Sequence, residues 1–219
     1  AEGWGIPAFT TDWREVVARD DLDLVVILTA MQAHGEIAAA ALAAGRNVLV
    51  EKPMAMDLSE AAALVAQART SRGFLLCAPH VTLSPVYQDL WRAIRAGRIG
   101  RPTLARGFYG WSGPDWGPWF YEPGGGPMFD LGVYNVTTLT GLIGPARRVM
   151  AMSGIAIPRR VVDGREIEVR TDDNSQFLID FGDACFGVVT TGFTIQKYRV
   201  PGIEVYGTEG TVQMLGEDW

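Results

Sequence analysis

Apolar and polar positions alternate with two different textures along the chain. Up to about residue 79 the apolar residues come in short dense runs. Residues 24–28 (LVVIL) are continuously apolar and partly β-branched, the pattern of a strand buried on both faces. Residues 47–50 (NVLV) and 74–77 (FLLC) repeat it in shorter form. Helical patterns lie between and before them. Residues 12–19 read as a short amphipathic helix with Thr11 or Asp12 as cap. Residues 32–44 are alanine-rich and close on Gly45, a strong helix former followed by a C-terminal glycine. Residues 57–69 start at Asp57 with Glu60 three positions later, in capping-box spacing. Strand, helix, strand, helix, strand with tight connections predicts right-handed βαβ units and a parallel sheet.

Beyond Pro79 the texture changes. Ser84 followed by Pro85 opens a helix that runs to Gly97, with serine as cap and proline at the first helical position. Residues 108–127 are dense in glycine, proline and aromatics, and residues 129–143 read as a helix. Strand-like runs follow at 148–153, 167–171, 176–181, 185–194 and 203–206. The Gly182–Asp183 step between two of them is a hairpin signal, so this sheet is expected to be antiparallel. The pattern predicts an α/β part over residues 1–79 and an α+β part over residues 80–219.

Composition narrows the function. With 48% hydrophobic and 20% charged residues, the 219-residue chain is not disordered. A net charge of −6 argues against a nucleic-acid partner, because phosphate binding needs a basic face. No apolar run approaches the ~20 residues that cross a bilayer, so no membrane partner is expected. Two cysteines, Cys77 and Cys185, are too few for a disulfide framework, and with only two histidines no metal site is expected. A reducing cytoplasm is the default location.

Ligands of open parallel sheets bind outside the carboxyl ends of the strands. Thr29 follows the first strand, and Glu51, Lys52 and Pro53 follow the second. Pro53 ends the strand there, and a lysine at such an edge can donate a proton or clamp a developing oxyanion. The alternative is a solvated lysine paired with Glu51. A second constellation is GGGPMFDLGVY over residues 124–134. Asp130 and Tyr134 stand four residues apart, on one face of the expected helix, with Gly132 leaving room for a neighbour. They form an acid/base pair or a pair of hydroxyl anchors, or else a helix cap and a half-buried core residue. His80 follows the third strand and could face a substrate. Trp116 and Tyr121, within the aromatic segment that also holds Trp111, Trp119 and Phe120, can stack on a sugar ring or pack within the loop or against a neighbouring subunit.

These motifs, taken in order, resemble the Gfo/Idh/MocA family of nicotinamide-dependent sugar oxidoreductases. The matching residues are LVVILT, His34 with its alanine-rich helix, NVLVEKP, the Ser84–Pro85 helix ending AGRIG, GGGPMFDLGVY and GTEGTV. The resemblance implies a partial Rossmann parallel sheet followed by an α+β domain with a large open antiparallel sheet, a surface that such proteins use to form homo-oligomers. It implies NAD or NADP as cofactor, with Thr29, His34, Glu51, Lys52 and Pro53 around it. A packing role at the helix start is the alternative for His34. Lys52 would sit beside the nicotinamide and the substrate, while Asp130 and Tyr134 would match the family's Asp and the following His. Tyrosine replaces that histidine in the branches like glucose-fructose oxidoreductase and dihydrodiol dehydrogenase.

Two departures stand out. Thr29–Ala30–Met31 replaces the family's Thr-Pro-Asn, and no G-x-G-x-x-G occurs anywhere in the chain. The resemblance therefore implies strands upstream of Ala1 and a continuation beyond Trp219, and a 219-residue piece that is inactive without its pyrophosphate loop. The expected activity is oxidation of a secondary alcohol of a sugar, cyclitol or diol. Rival readings are a glycoside hydrolase or isomerase of the same superfamily that uses bound NAD transiently, and a non-catalytic sensor or assembly subunit.

Overall fold

The structure is a computed structural model that describes residues 2–78, 80–197 and 202–215, without the side chains of Glu2 and His80. The chain divides into two compact units, Ala1–Ala78 and Pro79–Trp219.

In the first unit, α1 (Trp13–Ala18) is capped by Asp12, whose side chain accepts from the Arg14 N–H. Then come β1 (Leu24–Ile27), α2 (His34–Ala43), β2 (Asn47–Glu51), α3 (Leu58–Ala68) and β3 (Leu75–Ala78). The three strands form a parallel sheet in the order β1-β2-β3. Asp57 caps α3 by accepting from the Glu60 N–H at 2.9 Å, and Glu60 accepts from the Met56 N–H at 2.8 Å. The expectation of strands buried on both faces is corrected. Val25, Ile27, Val48 and Val50 are buried with Ile37, Ala38, Ala41 and Leu42 of α2 and Leu64 of α3, whereas Leu24, Val26, Leu28 and Leu76 are exposed. Right-handed crossovers in a 1-2-3 strand order put both helices on one face, which leaves the other face bare among the described residues.

The second unit begins with a 3₁₀ turn (His80–Leu83) and α4 (Pro85–Arg95), capped by Ser84, which accepts from the Tyr87 N–H at 3.1 Å. Next are β4 (Pro102–Gly110), α5 (Val133–Ile143), β5 (Arg148–Gly154), β6 (Arg159–Val162), β7 (Arg165–Glu168), β8 (Asn174–Gly182), β9 (Cys185–Gly192), β10 (Ile203–Gly207) and β11 (Thr211–Met214). Six of these strands form one sheet, ordered β11-β10-β4-β9-β8-β5. It is antiparallel as expected except at its centre, where β4 and β9 run parallel. The sequence pattern missed β4 because Arg106, Gly107 and Gly110 interrupt any clean alternation of apolar residues. The run at 167–171 is also shorter in the structure: its strand is β7, which pairs with β6 in a separate hairpin. The β8–β9 turn falls one residue later than the Gly182–Asp183 signal, on Asp183 and Ala184, both with positive φ.

One face of the six-stranded sheet packs against α4 and α5. Leu90, Ile94, Leu139 and Leu142 meet Phe177, Ile179, Val189, Ile203 and Val205 there. The opposite face exposes Leu104, Met150, Leu178 and Phe186.

Candidate functional site

In the first unit the candidate residues gather at the carboxyl ends of β1 and β2. Thr29 is exposed and its hydroxyl donates to the Ala30 carbonyl at 3.3 Å. His34, at the start of α2, is 1% exposed. Its Nδ1 lies 2.7 Å from the Pro53 carbonyl and its Nε2 lies 3.1 Å from the Thr29 carbonyl. The ring is buried and both its nitrogens face main-chain carbonyls. His34 ties together the loops that follow β1 and β2.

Glu51 ends β2, and its carboxylate accepts from the backbone N–H of Lys52 at 2.9 Å. Lys52 is half-buried, Pro53 is buried and the peptide between them is cis. Pro53 contributes a carbonyl to His34. On the neighbouring strand Cys77 pairs with Val50. Burial, with the negative charge of Glu51, pushes its thiol up to about 11, so it stays protonated near neutrality.

In the second unit the site grows from the glycine run. Gly124 and Gly126 have positive φ, and a side chain on Gly125 would strike the Phe120 carbonyl at 2.5 Å. The Gly126 N–H donates to that carbonyl at 2.7 Å, locking the run against the aromatic loop. The chain then enters a π-helical turn, Met128–Gly132, before α5 begins. A plain α-helix from residue 129 was expected. Here the Val133 N–H reaches back to the Met128 carbonyl, five residues away. Such wide turns insert a residue and re-aim side chains, and they concentrate at functional sites.

Asp130 lies on this turn and Tyr134 on the first turn of α5, both half-buried. Gly132 between them lets the segment pass close to β9, since a side chain there would meet Met128 Sδ at 2.7 Å and Thr191 Cγ2 at 3.3 Å. The ring of Tyr134 packs on Tyr109 of β4, with centroids 5.9 Å apart and planes tilted by 54°. Tyr109 was missed because β4 was missed.

The aromatic loop separates two residues that the sequence treats alike. Tyr121 is 0% exposed, its hydroxyl donates to the Pro114 carbonyl at 2.7 Å, and burial raises its phenol pKa. Its ring packs in the cluster with Leu131, Val162, Val169 and Phe193. Trp116 remains 50% exposed. His80 opens the 3₁₀ turn at residues 80–83, and its side chain lies outside the described atoms. No group of three or more histidine, cysteine or acidic residues able to hold a metal occurs among the described residues.

Residues 87–213 match the GFO/IDH/MocA C-terminal domain. The chain belongs to that family. Residues 1–77 match its partner domain, described as the oxidoreductase family, NAD-binding Rossmann fold. Among curated relatives of this family member, a 1,5-anhydro-D-fructose reductase from Ensifer adhaerens is 34% identical over 95% of the chain and 61% of its own length. Among solved structures, levoglucosan dehydrogenase in complex with NADH and levoglucosan is 26% identical with a TM-score of 0.87, covering 98% of this chain and 60% of the other. An NAD-binding oxidoreductase from Klebsiella pneumoniae is 30% identical with a TM-score of 0.83, covering 95% of this chain and 58% of its own. The chain thus spans about 60% of the length of the relatives it matches.

Proposed function

We propose that this chain is part of an NAD-dependent oxidoreductase acting on a secondary alcohol of a small sugar, cyclitol or diol. The observation that carries the reading is the π-helical turn. It holds Asp130 and, with the start of α5, Tyr134 half-buried in the unit that matches the family's C-terminal domain.

The residues of the first unit fit one end of the cofactor. Thr29 and Lys52 offer a hydroxyl and an ammonium at the carboxyl edge of a parallel sheet, where the nicotinamide end of a dinucleotide binds. The 219 residues contain no G-x-G-x-x-G turn for the pyrophosphate, so they would hold the nicotinamide end alone. NAD, when bound, supplies the hydride acceptor. The tasks left to the chain are polar. Asp130 accepts from a substrate hydroxyl and orients it. Tyr134 or Lys52 takes the hydroxyl proton as hydride leaves the same carbon, so that the alcohol becomes a carbonyl and the charges balance.

Three further properties complete the reading. The open face of the six-stranded sheet, with Leu104, Met150, Leu178 and Phe186 exposed, supports self-association as a homo-oligomer. Both cysteines are free thiols, which supports a reducing cytoplasm. No helix among the described residues is long and apolar enough to cross a membrane.

The test is to incubate the full-length protein with NAD and a panel of anhydrosugars, inositols and diols, following NADH absorbance. Net NADH formation with a member of the panel supports the dehydrogenase. Glycoside turnover without net NADH would replace it with the transient-oxidation chemistry.

A further inference from the structure

The loop between β4 and the π-helical turn is pinned at several residues, yet it exposes two tryptophans, Trp111 and Trp116. Trp111 exchanges backbone hydrogen bonds with Gly192 and Ile195, both at 3.1 Å. The Ser112 carbonyl accepts from Arg160 Nη1 at 2.6 Å, and the Pro114 carbonyl accepts from the Tyr121 hydroxyl at 2.7 Å. The Asp115 carbonyl accepts from the Asp163 N–H at 2.7 Å, and the Gly117 N–H donates to Asp163 Oδ2 at 3.3 Å. Asp163 therefore grips the backbone on both sides of Trp116. It does so from the tip of the β6–β7 hairpin, where it holds a positive φ of 50°.

The hairpin is itself anchored. Arg160 of β6 pairs with the fully buried Asp173 at 3.3 Å and donates to the Phe193 carbonyl at 2.6 Å. The floor under Trp116 is rigid too: Trp119 and Phe120 stack at 5.6 Å and meet the Trp116 ring nearly edge-on at 5.8 and 5.1 Å. Within this loop Tyr121 is 0% exposed, Trp111 40% and Trp116, the most open of the three, 50%. Half of Trp116 faces solvent with its backbone conformation already ordered, which lowers the entropy lost when something binds there.

We infer that Trp116 is a stacking platform for the apolar face of a pyranose ring, and that Asp163 is the positioning residue that mounts it. An indole presents a broad polarisable face, which suits the C–H face of a sugar whose hydroxyls point outward around the ring. The exposed Asp115 carboxylate, one residue before the platform, is available to those hydroxyls. This deepens the proposed function and rests on it for the substrate class.

The test uses the full chain with ¹⁵N-labelled indoles, titrated with methyl β-D-glucopyranoside and, separately, with glycerol. The indole signal that disappears in Trp116→Phe assigns the residue. We expect that signal to shift saturably with the pyranoside and not with glycerol. Asp163→Ala should weaken the interaction about fivefold, the worth of one positioned aromatic contact. Asp163→Asn should restore it, because asparagine keeps an acceptor for Gly117 and tolerates positive φ. Absence of a saturable shift of that signal, or an equal response to glycerol, would overturn the platform. Asp163→Asn as weak as Asp163→Ala would overturn the mount. Net NADH formation without a Trp116 response would sink this inference and leave the oxidoreductase reading standing; a Trp116 response without NADH formation would do the reverse.

Discussion

The two sheets solve the same problem differently. The three-stranded parallel sheet packs α2 and α3 on one face, and its other face is mainly aliphatic, with Leu24, Val26, Leu28 and Leu76 exposed and Asn47 and Glu51 at the two ends of β2. The six-stranded sheet also covers one face with helices, but its open face mixes apolar residues with ion pairs. Arg106 meets Glu204 at 3.2 Å and Arg148 meets Asp180 at 2.7 Å. An aliphatic parallel face is of the kind that proteins bury within a fold. A face that mixes apolar patches with paired charges can stay in water and still associate.

The same contrast governs the candidate sites. In the first unit, chemistry sits at strand ends, and one buried histidine holds the two loops together. In the second, the candidate residues sit where glycines and a π-helical turn bend the chain into α5, and a buried ion pair, Arg160–Asp173, braces the β6–β7 hairpin against the aromatic loop.

The sharpest way to break the comparison is to remove that brace. Asp173→Ala leaves Arg160 buried without its counter-charge and should cost the second unit about 3–5 kcal/mol. Hydrogen exchange should rise across residues 111–121 and the β6–β7 hairpin while β1–β3 stay protected; protection unchanged in the loop would refute the bracing role. The matching lesion in the first unit is His34→Ala, which removes the buried ring between the Thr29 and Pro53 carbonyls and the one hydrogen bond that a neutral imidazole donates there. It should cost about 1–3 kcal/mol, with exchange confined to the loops after β1 and β2.

A pH experiment sharpens the contrast without a mutation. The Cys77 thiol is raised in the folded protein, so its contribution to stability is intact below the ordinary value of 9.0 and is lost as pH climbs toward about 11. Alkylation of native Cys77 should show a midpoint near that higher value. A midpoint near 9.0 would mean the strand end is open to water. The smallest effect on folding should come from Leu178→Glu on the open face: stability within about 0.5 kcal/mol, but weaker self-association by sedimentation. Unchanged association would place the contact elsewhere.

What the sequence made legible was local chemistry. The Asp57 and Ser84 caps act as their spacing predicts, and the parallel strands sit where the apolar runs fall. What it hid depends on distant partners. The sequence leaves His34 between a cofactor contact and a packing role, and its tie to Pro53, nineteen residues away, is visible only in the fold. Trp116 and Tyr121 share one aromatic loop, and only folding separates them: Asp163 bonds the backbone on either side of exposed Trp116, while Arg160 lies 5.2 Å over the ring of buried Tyr121. The parallel β4–β9 pair was invisible because β4's glycines and Arg106 break the alternation.

The most direct test of the central claim is the turnover of Lys52→Ala in the full-length protein, measured by NADH formation with its fold checked by circular dichroism. Removing the lysine that the proposed function places beside the reacting hydroxyl should lower kcat about 10²–10⁴-fold while the far-ultraviolet spectrum is unchanged. Turnover equal to that of the unaltered protein would contradict the role assigned to the carboxyl end of β2.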